Sequence, residues 1–139
     1  MTGDGPLVVH PIGVVRSALR SRKNAPRSAA DGAPEAVLDL EERFADALEG
    51  VQAGMELIVV SWLHHGVRDV LQVHPGRDEA RPLTGVFATR SPDRPNPIGI
   101  HRVTVTAIEP PASVHVAALE AIDGTPVLDL KVAAAAREA

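Results

Sequence analysis

The 139-residue chain is predicted to form one small domain of mainly β type, a barrel or sandwich of short strands with one or two short helices. Three observations predict this. Six or seven short runs rich in Val, Ile, Leu and Thr are punctuated by Pro and Gly, the spacing of successive strands and turns. The segment HRVTVTAIE, His101 to Glu109, alternates apolar and polar residues, so that Val103, Val105 and Ala107 share one face and Arg102, Thr104 and Thr106 the other. Only the stretch from Asp39 to Leu48 carries helical spacing. Phe44, Trp62 and Phe87 are the only Phe, Trp or Tyr residues, so the core must be built from Val, Leu, Ile and Ala.

Taken in order, residues 1–6 (MTGDGP) read as a loose terminus, and LVVHPIGVV, Leu7 to Val15, as a strand that Pro11 confines to an edge or a bulge. Residues 16–36 carry charge, Pro and Ala without periodicity and read as a long loop, a length that is usually functional or disordered. Asp39 followed by Glu42 fits a capping box, with Leu40, Phe44 and Leu48 on one face of a short helix and Gly50 placed to end it. Met55 to Leu63 (MELIVVSWL) reads as a buried strand, and DVLQVHP and TGVFAT as short strands flanking a loop at Arg77–Pro82. Pro110–Pro111 marks a turn into SVHVAALEA, and PVLDLKV closes the ordered part. The domain is expected to span residues 7–132, with flexible termini at 1–6 and 133–139, the latter helical or frayed.

Composition excludes several classes. With no cysteine, disulfides and thiolate metal sites are ruled out. His64 and His65 are adjacent, which in a strand turns their rings to opposite faces, and the remaining histidines lack ligand spacing, so no metal site is expected. No Lys or Arg precedes a long apolar run near the start, and no apolar stretch is long enough to span a bilayer, so the expectation is a soluble cytoplasmic protein. The net charge of −4 covers an asymmetry: five basic residues and no acid lie between Arg16 and Arg27, then eight acids and one base between Asp31 and Glu56. The basic strip can attract phosphates or simply solvate a loop.

Two clusters bear chemistry. ATRSPDRPNPIGI, Ala88 to Ile100, holds three prolines and two arginines. Each proline fixes its own φ and biases the residue before it towards extended backbone, so Arg94 and Asn96 are pre-set, and Gly99 permits a tight turn or a close approach. Arg90 and Arg94 are thereby offered to an anion or polar ligand with little entropy left to lose, although a rigid connection with two surface arginines fits the same residues. Asp123-Gly124-Thr125-Pro126 is a good β-turn sequence, with hairpin duty as its simplest reading. Asp129 and Lys131, two apart, share one face of a strand. The chain carries no G-x-G-x-x-G fingerprint, P-loop or G-x-S-x-G elbow.

Three blocks, GVFATRSPDRPNPIGIHRV, LEAIDGTPVLDLK and IGVVRSALRSRKNAPRS, closely resemble the TsaA-like (TrmO) family, from about Val9 to Lys131. The resemblance implies an S-adenosylmethionine-dependent methyltransferase built on a small non-Rossmann β-barrel. It implies a homodimer whose best-known reaction is N-methylation of threonylcarbamoyladenosine beside a tRNA anticodon. Cofactor contacts would then fall on Pro26, Arg27 and Ser28, where the family has Pro-Arg-Gln; on His64 and His65; on Arg90; on Ile100; and on Asp123, Gly124, Thr125 and Pro126. Arg94, Asn96, Arg16 and Lys131 are the candidates for touching the methyl acceptor, and no residue stands out as general base. Ser28 replaces the glutamine, and Val132 with a run of alanines follows Lys131 where the family has Pro-Tyr. The acceptor therefore stays open between tRNA, another RNA and a small molecule, beside a non-catalytic module that only binds the cofactor.

Overall fold

The computed structural model describes residues 5–24 and 32–134. Alternation of small branched apolar side chains sets its strands: β1 (Gly13–Ser17), β2 (Ala36–Leu40), β3 (Glu56–Trp62), β4 (Gln72–Val73), β5 (Thr84–Gly85), β6 (Ile98–Glu109), β7 (Ser113–Val116) and β8 (Pro126–Val132). Six of them close into an antiparallel barrel in the order β1-β2-β7-β6-β3-β8, with β8 returning to β1; β4 and β5 form a separate two-stranded hairpin. Closure leaves no barrel edge with unpaired backbone groups. Inward positions carry Val15, Leu38, Val59, Val105, Val114, Val116 and Val127, all fully buried, and the central cluster contains no aromatic ring. The core is thus the Val, Leu, Ile and Ala core that the composition demanded.

Several boundaries differ from the sequence expectation. Leu7, Val8 and Val9 are exposed and unpaired, because β1 begins only at Gly13, beyond Pro11, where the Ile12 amide reaches Val127 O at 2.7 Å. Asp39 and Leu40 end β2 rather than cap a helix. The following turn, Glu42–Leu48, is a 3-10 helix with Glu41 at its N-cap and no side-chain cap bond, while Gly50 takes φ +95° just past its end. TGVFAT contributes two strand residues and then a 3-10 turn at Val86–Ala88. In β6 the register with β7 shifts between Val105 and Ala107, a bulge at Thr106 that moves Ala107 to the exposed face although alternation put it with Val103 and Val105. The turn at Pro110–Pro111 does join β6 and β7 as an antiparallel pair.

Antiparallel register brings Ser17, the start of β2, Trp62, Ile98 and Pro126 to the same end of the barrel. Leu119, Ala121 and Ile122, outside any strand, plug that end. A concavity of about 310 Å3 lies at the opposite end, lined by Ile12, Phe44, Leu48, Met55, Leu57 and Leu130 among others.

Candidate functional site

The loops at the plugged end are stapled together by a few charged side chains. Arg22 donates from Nη1 to His65 O at 3.0 Å and from Nη2 to Asp93 Oδ2 at 3.0 Å, and Asp93 Oδ1 accepts the Val67 amide at 2.9 Å. Three segments far apart in sequence therefore meet on one carboxylate. Burial by itself pushes the Asp93 carboxyl up; the hydrogen bonds from Arg22 and the Val67 amide, with the charges of Arg22 and Arg77, outweigh it and hold the group below its ordinary range. Gly66 lets the turn press against the proline-rich run, since a Cβ there would lie 2.2 Å from Pro92 O and 2.9 Å from Pro97 Cβ. Arg68 continues the staple, donating to Pro95 O at 2.7 Å and Asn96 Oδ1 at 3.0 Å while its guanidinium lies 5.2 Å from the Trp62 ring centroid.

Within the run itself, Arg94 turns back and donates to Thr89 O at 3.1 Å and Ser91 O at 3.0 Å. It is occupied in holding the loop, so the stiffness foreseen from the prolines is reinforced by an arginine expected to face a ligand. Arg90 is exposed and has no hydrogen bond or ion pair among the described residues. Of the two arginines, one shapes the loop and the other is available.

The Asp123–Pro126 turn is a tie between β1 and β8 rather than a free hairpin tip. Asp123 Oδ1 accepts the Ser17 amide at 2.9 Å, and Oδ2 pairs with Arg20 at 3.1 Å. Asp123 N donates to Leu19 O at 2.7 Å and Gly124 N to Val15 O at 2.7 Å, with Gly124 at φ +85°, where glycine is favoured. Thr125 is buried and its hydroxyl closes onto Ile122 O at 2.7 Å. The carboxylate of Asp123 and the hydroxyl of Thr125 are thus occupied within the chain.

His64 and His65 follow β3 in a turn, and their ring centroids lie 4.1 Å apart at 45°. The expectation that they point to opposite faces assumed a strand and is corrected: the turn sets them side by side. Lost hydration and the neighbouring His65 hold the His64 imidazole below its ordinary range, so its ring is neutral at pH 7. Ile100 is half-exposed on the outer face of β6. Asn96 is exposed and serves Arg68. Arg16 lies 3.6 Å from Asp39 on the barrel wall, and Lys131 lies 3.5 Å from Asp129 at the far end of β8, so neither is gathered with the other candidates. Pro26, Arg27 and Ser28 lie outside the described residues.

Sequence reading missed the staple residues Arg22, Asp93 and Arg68, and a buried line of polar groups, Ser61, His101 and Glu120. A signal for the last existed: Ser61 is the single polar residue inside IVVSWL, and His101 falls in phase with Val103 and Val105. Among the described residues no group of three or more His, Asp or Glu side chains is arranged to hold a metal ion, and no helix is long and apolar enough to cross a membrane.

A sequence profile described as the tRNA-methyltransferase O N-terminal domain matches residues 14–136, nearly the whole barrel and every stapled loop. The chain belongs to that family. It is 37% identical over 126 residues to an Archaeoglobus fulgidus protein named "S-adenosyl-L-methionine-binding protein", covering 90% of this chain and 88% of that one. A Methanothermobacter thermautotrophicus protein named "Probable S-adenosyl-L-methionine-binding protein" is 36% identical over 129 residues, covering 92% and 90%. The crystal structure of TrmO from Pseudomonas aeruginosa superposes with a TM-score of 0.74 at 28% identity, covering 97% of this chain but only 61% of the TrmO chain.

The family implies S-adenosylmethionine, and the exposed groups at the stapled end fit it. Arg90 is a cation suited to the methionyl carboxylate, the paired rings of His64 and His65 and the side chain of Ile100 offer apolar faces to an adenine, and the turn at Asp123–Pro126, its amides spent on Leu19, Val15 and Ile122, offers the carbonyls of Asp123 and Gly124. No arginine is required near the sulfonium, and Arg22 and Arg94 are turned inward onto carboxylate or carbonyl partners.

Proposed function

We propose that this chain is an S-adenosylmethionine-dependent methyltransferase whose acceptor is the threonylcarbamoyl-modified adenosine next to a tRNA anticodon. The observation that carries the reading is the coincidence of the family match over residues 14–136 with the stapled end of the barrel, where Arg90, unlike Arg22, Arg68 and Arg94 of the same loops, has no hydrogen-bond or ion-pair partner among the described residues. When bound, the cofactor would supply an electrophilic methyl group on a sulfonium, whose C–S bond would break to leave a neutral thioether as the acceptor nitrogen bonds the methyl and gives up its proton to solvent. The chain's contribution is placement. Arg90 binds the cofactor carboxylate, the neutral His64 ring and Ile100 shelter its apolar part, and the Arg22–Asp93 clamp keeps these loops in register. Rigid alignment of two reactants can account for much of such a barrier, because the displacement makes little demand on acid or base chemistry.

The active unit is a homodimer in this reading, and the protein acts in the cytoplasm. The exposed apolar residues Leu71 and Phe87, 67% and 83% accessible and flanking the β4–β5 hairpin, support a second copy covering part of that surface. A second reading is a module that binds the cofactor without turnover. It is favoured by one observation: the chain spans about nine-tenths of the two archaeal S-adenosylmethionine-binding relatives but about six-tenths of the TrmO structure.

Methyl release with total cellular tRNA, compared with tRNA lacking the threonylcarbamoyl group, separates the readings. Transfer only to the modified tRNA is the expected result. Cofactor binding without transfer to either pool favours the binding module, and transfer to both pools removes the proposed acceptor.

A further inference from the structure

Inside the plugged end, three polar side chains make a line that the barrel does not need for closure. Ser61 on β3 and His101 on β6 point inward and are 0% and 6% exposed; the Glu120 side chain is 16% exposed. Ser61 Oγ lies 2.7 Å from His101 Nε2, and His101 Nδ1 lies 2.6 Å from Glu120 Oε1. With a neutral ring, the carboxylate requires the proton on Nδ1, which leaves Nε2 to accept the Ser61 hydroxyl. Gly99 makes the room: a Cβ there would sit 2.7 Å from Ser61 Oγ and 3.0 Å from His101 Nε2. The glycine of the proline-rich run serves this close approach within β6 rather than a turn.

Stability is a poor reason for such a line. Burying a charge-bearing group requires full compensation, and apolar residues of similar volume at such positions are often neutral or stabilising. Its connections suggest a different role. Glu120 sits between Leu119 and Ala121, in the plug that leads directly into Asp123–Pro126. His101 directly follows Ile100. Apolar burial of Leu119, Ala121 and Ile122 sets how deep the plug sits, but it is non-directional and tolerates sliding. A hydrogen bond to a fixed imidazole is directional and removes that freedom.

We propose that Ser61, His101 and Glu120 are positioning residues that set the Asp123–Pro126 turn relative to Ile100 for cofactor binding. The proposal rests on the cofactor reading given above. It predicts that affinity for S-adenosylmethionine can be lost while the barrel is kept.

The test compares the full chain with the double variant His101→Leu/Glu120→Met, with Glu120→Gln and with Ser61→Ala, reading melting temperature, cofactor Kd by calorimetry and amide exchange without cofactor. The double variant is expected to stay folded and melt only a few degrees lower, the cost of leaving the buried Ser61 hydroxyl without its partner, to bind roughly tenfold more weakly, as ligand sites do when supporting groups are removed, and to exchange the Asp123 and Gly124 amides faster. Glu120→Gln keeps the acceptor and is expected to stay within about threefold of the original Kd. Unchanged affinity in the double variant overturns the proposal, and so does a loss in Glu120→Gln as large as in the double variant, which would mean direct contact between the carboxylate and the ligand. Should the double variant not fold, Ser61→Ala supplies the reading: faster exchange at Gly124 supports the proposal and an unchanged rate overturns it. An original chain that binds no cofactor at all overturns the cofactor reading, which is a distinct result.

Discussion

Arg90 and Arg94 stand four residues apart on one stiff loop, yet their surroundings assign them different work. Arg94 satisfies two backbone carbonyls from a partly buried position, so Arg94→Ala leaves both carbonyls short of a partner and is expected to lower stability by about 1–3 kcal/mol. Arg90→Ala removes nothing from the fold; it should leave the melting temperature unchanged and weaken cofactor binding roughly tenfold or more, the value of one charge-assisted hydrogen bond. Calorimetry and thermal melts on the two variants decide this, and equal effects on stability would show that the loop does not divide the labour in this way. Asp93 supplies the pH dependence. Its folded pKa is depressed, so its contribution is fully present above the unfolded carboxylate value of about 3.9 and is lost as pH falls through the lower folded value. Asp93→Asn should therefore melt lower than the original chain at pH 7, and the two melting curves should converge in strongly acidic buffer. A gap that persists at low pH would show that something other than the Arg22–Asp93 charge pair is being measured.

At the scale of elements, β6 is the organising strand. It begins inside the proline-rich run, carries Gly99 and His101 inward and Ile98 and Ile100 outward, and bulges at Thr106 before meeting β7. Gly99→Ala is expected to destabilise by about 1–3 kcal/mol, because the added methyl overlaps the Ser61 hydroxyl and the His101 ring inside a closed barrel that cannot relax freely. Combining it with Ser61→Ala removes the closest of those contacts and should recover part of the loss. Denaturant melts of the single and double variants measure it; no recovery would mean the strain lies against Leu63 or His101 instead. The 3-10 turn between β2 and β3 shows the opposite balance. The spacing of Leu40, Phe44 and Leu48 suits an α-helix, but β2 claims Asp39 and Leu40 by pairing with β1, and the seven residues left, Glu42–Leu48, form a 3-10 helix without the side-chain cap that Asp39 was expected to supply.

For the whole molecule, mass action and charge make two further expectations. S-adenosylmethionine at about 100 times its Kd should stabilise the chain by about 2.7 kcal/mol, a shift of several degrees in melting temperature, and no shift at millimolar cofactor would sink the methyltransferase reading. The basic strip is weaker as a phosphate patch than its composition suggests. Arg16, Arg20 and Arg22 each have a carboxylate partner, and Lys23 is the one member of the strip among the described residues without one. If tRNA is the acceptor, binding should fall with log salt at a slope of roughly −1 to −3, carried by Lys23 and at most two opened pairs, rather than the −4 to −5 of five free cations. A slope near −5 would mean the ion pairs open on binding. Light scattering should give a mass near twice the 14.6 kDa of one chain; a fully active species of one chain's mass would remove the dimer.

The amino-acid sequence by itself determined the class of fold, the aliphatic core and most strand positions, because a two-residue period and the fixed φ of proline are local properties that need no partner. It also determined the family, since the proline-rich block and the Asp123–Pro126 block are long and unusual enough to carry a resemblance that the match over residues 14–136 supports. It could not show where β1 starts, since that depends on Val127 offering its carbonyl to Ile12, nor that Ala107 is displaced, since a bulge is a property of two paired strands. The staple was equally out of reach. Arg22 and Asp93 are 71 residues apart, and Ser61, His101 and Glu120 come from three separate segments. A charge on a loop reads the same whether it faces water or a buried carboxylate, and barrel closure is what puts the partner there.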